Sequence, residues 1–203
     1  IVLHAPNLGW TDLDLGELVR TATGLPTYVG NDADLATTAE SAYGAGDSAG
    51  LLVVTVSHGV GGGVLLDGRV LSGPLLSSGE IGHVVVDPDG APCACGNRGC
   101  LETVLSVPAL RRQSDDAARA RTGAQLGSVL TPIVATLGIA DVVIYGPTEL
   151  LEGPLLDAAR RALAHQTLPF VAQRVHVRVV PLEDELVLKG AAAYVRYREL
   201  GVV

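Results

Sequence analysis

Three cysteines, Cys93, Cys95 and Cys100, fall within eight residues, and His83 precedes the first of them by ten. The pattern H-x9-C-x-C-x4-C is too crowded and too odd in number for a disulfide framework, and it is embedded in Gly96-Asn97-Arg98-Gly99 rather than in a packed strand. One imidazole and three thiolates make a closed tetrahedral donor set of the kind structural zinc takes, with no position left open for a water. Zinc here would order the segment from Gly79 to Glu102 instead of hydrolysing a substrate, and its binding energy would be folding energy for that segment. The competing reading, three packed free thiols and a core histidine, has little packing rationale at this density.

A metal on one ring nitrogen of His83 leaves the other as an oriented N–H donor. Glu80 lies three residues before that histidine and Glu102 two residues after the last cysteine, so the loop holds two carboxylates close to one donor. A polyol needs that combination, because each hydroxyl both donates and accepts. Taken singly, each glutamate reads equally well as a solvated surface carboxylate. Asn31-Asp32 stands between a strand-like stretch and an Ala-rich helix, where either residue could cap the helix or Asp32 could act as a hydroxyl acceptor or general base. Ser57-His58-Gly59-Val60-Gly61-Gly62-Gly63 could bring backbone N–H groups to a phosphate. It lacks the Gly-Lys-Ser/Thr of a Walker loop and leads into a strand, so a tight hairpin entry explains it as well.

The elements that must position these groups follow from periodicity and punctuation. Strands are expected at Val2–His4, Thr27–Val29, Leu51–Val56, Val60–Leu66, Arg69–Leu71 and Val84–Val86, with Asp67-Gly68 as a two-residue hairpin turn. Helices are expected at Asp12–Thr23, closed by Gly24, and at Ala33–Tyr43, closed by Gly44 and Gly46. Beyond the metal loop the pattern alternates: helix Asp116–Leu137, strand Asp141–Tyr145, helix Leu155–His165, strand Val175–Val180, helix Leu186–Leu200.

Composition bounds the function. The 203 residues suffice for one large or two small domains, and 48% hydrophobic against 18% charged residues excludes a disordered chain. A net charge of −8, a single lysine (Lys189) and 3% aromatics argue against this segment gripping nucleic acid itself. No apolar run approaches the ~20 residues a membrane span needs. The chain has no methionine and opens on Ile1-Val2-Leu3, as a processed or partial piece would. No N-terminal stretch has the layout of a secretory signal.

Together, Val29-Gly30-Asn31-Asp32-Ala33, Gly79-Glu80-Ile81-Gly82-His83 and Cys93-Ala94-Cys95-Gly96-Asn97-Arg98-Gly99-Cys100-Leu101-Glu102 closely resemble the ROK family, named for repressors, open reading frames and kinases. The resemblance runs from Pro6-Asn7-Leu8-Gly9-Trp10 to the Gly190-Ala191-Ala192-Ala193 helix. It implies an α/β chain with the actin-like, hexokinase-like (ribonuclease H-like) ATPase fold. Residues 1–30 would be a remnant of an incomplete N-terminal lobe, 31–185 a C-terminal lobe with the zinc loop at 79–102, and 186–203 a helix returning to the N-terminal lobe. It implies structural zinc on His83, Cys93, Cys95 and Cys100, and a monosaccharide or sugar derivative on Asn31, Asp32, Glu80, His83 and Glu102. Gly59, Gly61 and Gly62 would be the remnant of a phosphate loop. Only in a kinase would Mg-ATP be a cofactor and Asp32 the catalytic base.

Departures from the kinase pattern direct the choice within the family. The Asp-x-Gly-x-Thr hairpin and a winged helix-turn-helix are both absent from this chain, so as given it should phosphorylate nothing. Ser57-His58-Gly59 stands where kinases typically carry Gly-Thr-Gly, and Tyr145-Gly146-Pro147 where they carry a glycine pair. The stretch from Glu102 to Tyr145 is shorter than expected, which points to residues missing near Gln113-Ser114. The expectation is therefore the sugar-binding effector module of a ROK-type transcriptional regulator, cytoplasmic and homo-oligomeric, without membrane contact, and touching DNA only through a domain outside this chain. The alternatives are a fragment of a ROK sugar kinase and a zinc-ordered scaffold that has lost its ligand.

Overall fold

The computed structural model describes residues 2–5, 9–44, 49–73 and 78–201, and of 3–5 the backbone only. Pro6-Asn7-Leu8 and Gly46, which the sequence reading used, lie outside the described residues. In chain order the elements are β1 (Val2–Ala5), β2 (Trp10–Leu13), α1 (Leu15–Thr23), α2 (Asp32–Tyr43), β3 (Gly50–Val56), β4 (Val60–Leu66), β5 (Arg69–Val70), a 3-10 turn (Ile81–His83), α3 (Glu102–Leu105), α4 (Val107–Arg112) and α5 (Asp116–Leu137). β6 (Asp141–Tyr145), α6 (Thr148–Leu151), α7 (Pro154–Gln166), α8 (Pro169–Ala172), β7 (His176–Val180) and α9 (Leu186–Leu200) complete the chain.

β1 and β2 pair as a small antiparallel hairpin, and the main sheet has the order β5-β4-β3-β6-β7. β3, β4 and β5 form an antiparallel meander, whereas β6 and β7 run parallel to β3. The run Leu51–Val56 is continuously apolar because β3 is covered on both faces. Leu52, Val54 and Val56 enter the core with Leu126 and Leu130 of α5 and Leu155 of α7. Leu51 and Val53 point the other way, to Ala36 and Ala39 of α2 and Leu186 of α9. In-register pairing of Thr55 with Tyr145, and Tyr145 with Val180, brings the carboxyl ends of β3, β6 and β7 to one edge, where crevices form in open α/β sheets.

The helices start and stop where the sequence supplies caps. Asp14, Asn31 and Asp115 accept backbone N–H groups at the starts of α1, α2 and α5, and Gly24 and Gly138 close α1 and α5 in the left-handed region. α5 and α7 approach so closely that Gly123 and Gly127 lie against the Leu155 and Ala159 carbonyls.

Three expectations need correction. α1 begins at Leu15 rather than Asp12, since residues 10–13 find a partner in β1 and Asp14 supplies the cap. Thr27–Val29 is not a strand, because no described strand runs beside it; Tyr28 instead packs edge-on to Tyr194 with ring centroids 6.3 Å apart, under the Arg198 guanidinium. Val84–Val86 contributes only an isolated bridge, Val85 to Cys100.

Candidate functional site

The loop at 79–102, which carries the candidate metal ligands, folds on glycines and short turns. Gly96 and Gly99 have positive φ, and Gly99 lies so close to the Asp87 carbonyl that no side chain would fit. Cys93 N–H donates to the Asn97 carbonyl at 2.8 Å, closing the knuckle that presents Cys93 and Cys95. One ligand atom from each of His83, Cys93, Cys95 and Cys100 can be chosen so that all lie within 4.8 Å of one another. Cys95 Sγ and Cys100 Sγ are 3.7 Å apart, and His83 Nδ1 is 3.5 Å from Cys93 Sγ. A tetrahedron with arms of about 2.3 Å has edges of about 3.8 Å, so this donor set fits a tetrahedral metal. As free thiols they differ: burial pushes Cys100 up to about 12, whereas the Asn97 backbone N–H holds Cys95 below its usual value. With Nδ1 on the thiol side, His83 Nε2 is 3.8 Å from Glu80 Oε2, too far for a hydrogen bond between them.

Gly59–Gly63 has a use that its composition does not announce. A side chain at Gly59 would stand 2.9 Å from Glu102 Oε2, at Gly61 3.1 Å from Ala33 Cβ, and at Gly62 2.9 Å from Ile81 Cδ1. At Gly63 it would collide with Thr37 Oγ1, and at Gly82 any side chain would meet the Val60 carbonyl. The glycines are therefore spacers that let three separate segments close on one strip of backbone: the start of α2 with Asn31-Asp32, the 3-10 turn between Glu80 and His83, and Glu102. Two hydrogen bonds fasten the ends of the metal loop to that strip, Gly62 N–H to the Gly79 carbonyl at 2.8 Å and Val60 N–H to Glu102 Oε2 at 3.0 Å. Ser57 N–H is spent on Gly59 O at 2.9 Å.

Asn31 is the N-cap of α2: its Oδ1 accepts from Ala33 N–H at 2.8 Å and Asp34 N–H at 3.3 Å. Asp32 is exposed, as are Glu80 and His58, while Glu102 is half-buried. Glu80 also borders an open groove of about 800 Å³ between the metal loop and α5, lined by Val84, Val85, Val129 and Ile133 among others.

Two features escaped the sequence reading. Asp34, in the first turn of α2, has a buried Oδ1 without a partner, and burial together with the Asp32 charge raises its carboxyl to about 6. Glu40, near the other end of α2, is 2% exposed and accepts hydrogen bonds from the Tyr145 phenol and the Arg178 guanidinium. The only signal in the sequence for Glu40 is a charge on the alanine-rich face of a helix.

A mixed sheet with helices on both faces, and polar segments gathered at the carboxyl edge of its parallel strands, defines this chain as part of an actin-like, hexokinase-like ATPase fold. It belongs to the ROK family, whose model matches residues 1–198. The glucokinase of Halalkalibacterium halodurans is 42% identical over 237 residues, spanning 98% of this chain and 72% of the relative. Those 237 matched residues exceed the 203 of this chain, so the relative carries internal residues without a counterpart here. The crystal structure of a ROK family transcriptional regulator, homologous to the E. coli Mlc protein, superposes with a TM-score of 0.78 at 27% identity, covering 94% of this chain and 57% of the regulator. A ROK family glucokinase from Streptomyces griseus, solved with glucose and AMPPNP, also superposes at 0.78, with 25% identity over 95% of this chain and 75% of the kinase. Overall shape thus matches both branches equally. Among the described residues no helix is long and apolar enough to cross a membrane.

Proposed function

We propose that this chain is the sugar-binding effector module of a ROK-type transcriptional regulator. The observation that carries the reading is that Ala33, Ile81 and Glu102 close on Gly59–Gly63, which brings the segments bearing Asn31-Asp32, Glu80-His83 and Glu102 to one strip; their side chains would supply acceptors and one directed donor suited to a ring of hydroxyls. His83 Nε2 and Glu80 Oε2, 3.8 Å apart, are spaced to share a hydroxyl instead of bonding each other. Zinc held by His83 Nδ1, Cys93, Cys95 and Cys100 would fix the tautomer and direction of that Nε2–H. Sugar binding then shifts the balance between open and closed arrangements of the lobes, and a DNA-binding domain outside this chain reads the shift. Tyr28, held by Tyr194, Arg198 and Glu199 at the end of α9, supports the reading of residues 186–203 as the element that joins the two lobes. Homo-oligomeric assembly and a cytoplasmic setting go with this reading.

What favours regulation over catalysis is the glycine strip. The N–H groups of Ser57, Val60 and Gly62 are already spent within the protein, so few donors remain for a phosphate, and His58 stands where kinases typically carry a hydroxyl. The second reading, a hexose kinase with Asp32 as base and Mg-ATP as phosphate donor, is supported by the 42% identity to a glucokinase.

The test is calorimetric titration of the complete protein with D-glucose, N-acetylglucosamine, N-acetylmannosamine and D-xylose, followed by an ATP-dependent phosphorylation assay on whichever sugar binds. Binding that Asp32→Asn and Glu80→Gln each weaken about tenfold or more, without phosphate transfer, is the expected result. Phosphate transfer would replace the regulator by the kinase, and no binding by any of the four sugars would remove both.

A further inference from the structure

α2 carries Asn31 and Asp32 at its start, so whatever fixes the helix along its axis fixes those side chains. Its first two turns lie on Gly61 and Gly63, which offer no side chain to interlock with it. The Thr37 hydroxyl, buried at that contact, bonds back to the Ala33 carbonyl of its own helix. Among the described residues, the side-chain hydrogen bonds from α2 to the sheet all run through Glu40. That carboxylate takes the Tyr145 phenol from the carboxyl end of β6 and the Arg178 guanidinium from β7, and Arg178 Nε lies 3.7 Å from Asp141 Oδ1 at the start of β6. Gly44 passes over the carboxylate so closely that no Cβ would fit.

Glu40 is the one charged side chain buried among the described residues. A buried ion pair is a poor source of net stability, since apolar residues of similar volume often seal such a layer as well or better. A polar cluster does supply register, because its partners fit at one axial position only. We infer that Glu40 is a positioning residue: through Tyr145 and Arg178 it sets the axial register of α2 and so holds Asn31 and Asp32 in place, about 12 Å away along the helix. The register part stands on the fold alone, and its effect on ligand affinity rests on the sugar-binding reading.

Two variants test it: Glu40→Gln, and the apolar replacement Glu40→Met/Tyr145→Phe/Arg178→Met. Each is followed by thermal unfolding, by hydrogen exchange across residues 31–37, and by calorimetry with D-glucose. The apolar variant is expected to melt at or above the wild-type temperature while amide exchange at Ala33–Leu35 accelerates about tenfold or more and that in β3 and α5 stays unchanged. D-glucose affinity falls in both variants, and the losses from Glu40→Gln and Asp32→Asn combine to less than their product, the sign of a shared pathway that a purely structural role would not produce. Unchanged exchange at Ala33–Leu35 in both variants overturns the positioning role. If the wild-type protein ignores D-glucose, the affinity arm is run with whichever of N-acetylglucosamine, N-acetylmannosamine and D-xylose binds; binding of none removes the sugar reading, while the exchange data still decide the register.

Discussion

Replacing Asp34 by Asn should make the protein more stable at neutral pH. Burial, and then the neighbouring Asp32 charge, carry the Asp34 carboxyl from 3.8 to about 6, and its Oδ1 has no partner. A raised acid binds more protons folded than unfolded between these values, so stability falls as pH rises through that window and the full penalty is present at pH 7. At about 1.4 kcal/mol per pH unit the ceiling is about 3 kcal/mol. The residue is only half-buried, and solvent screening reduces this to about 1–2 kcal/mol. Against it stands the favourable placement of a negative charge in the first turn of a helix, about 0.3–1 kcal/mol, which Asn gives up. The net gain is about 1 kcal/mol, or about 2–4 °C in Tm for a chain of this size. Calorimetric melts of the wild type and Asp34→Asn at pH 7.5 and pH 4 measure it. The gain should appear at pH 7.5 and vanish at pH 4, where the wild-type carboxyl is protonated in the fold. A lower Tm at pH 7.5, or the same difference at both pH values, would refute the reasoning.

Atomic emission on metal-reconstituted protein should give one equivalent of zinc, and Cys95→Ser should reduce it well below one. Stripping the metal should speed hydrogen exchange and proteolysis within 79–102 while leaving α5 and β3 protected, because the loop's order depends on its donor set rather than on the sheet. Gly127→Ala should cost about 1–3 kcal/mol in urea denaturation, since the new methyl meets the Ala159 carbonyl and the Ala162 side chain across the α5–α7 contact. Glu102→Ala should leave the Val60 N–H without its acceptor, at about 1–3 kcal/mol of stability, and weaken sugar binding in the same calorimetric assay.

The sequence discloses most of the sheet and the cluster of three thiols and an imidazole because both are written locally. A two-sided apolar run at Leu51–Val56, the Asp67-Gly68 turn with both residues at positive φ, and the cap at Gly138 each carry their own short-range signal. The donor set is local as well, three thiols in eight residues and a histidine one loop away. The network of Glu40, Tyr145 and Arg178 joins residues more than a hundred positions apart, and no periodicity encodes it. The strip Gly59–Gly63 misleads in a different manner. Glycine near a strand end suggests room for phosphate, whereas here the room is taken by Ala33, Ile81 and Glu102. Thr27–Val29 has strand-like composition, but a strand needs a neighbour, and only the folded chain reveals that none of the described strands runs beside it.

That strip divides the protein into a part that can vary and a part that cannot. Its glycines lend the proposed site no side chains, so the polar groups of that site come from stretches far apart in the chain, at 31–32, 80–83 and 102. In the proposed sugar site, Asp32 and Glu80 are exposed and bond no strand of the sheet, so substitutions there should retune ligand preference while the sheet stays untouched. A single added methyl at Gly61, Gly62 or Gly63 instead presses on the start of α2 or on the 3-10 turn before any ligand is involved. Random mutagenesis of the chain should therefore recover altered ligand preference from Asp32 and Glu80, and loss of stability from the glycines, most severely from Gly63, where a Cβ would collide with Thr37 Oγ1.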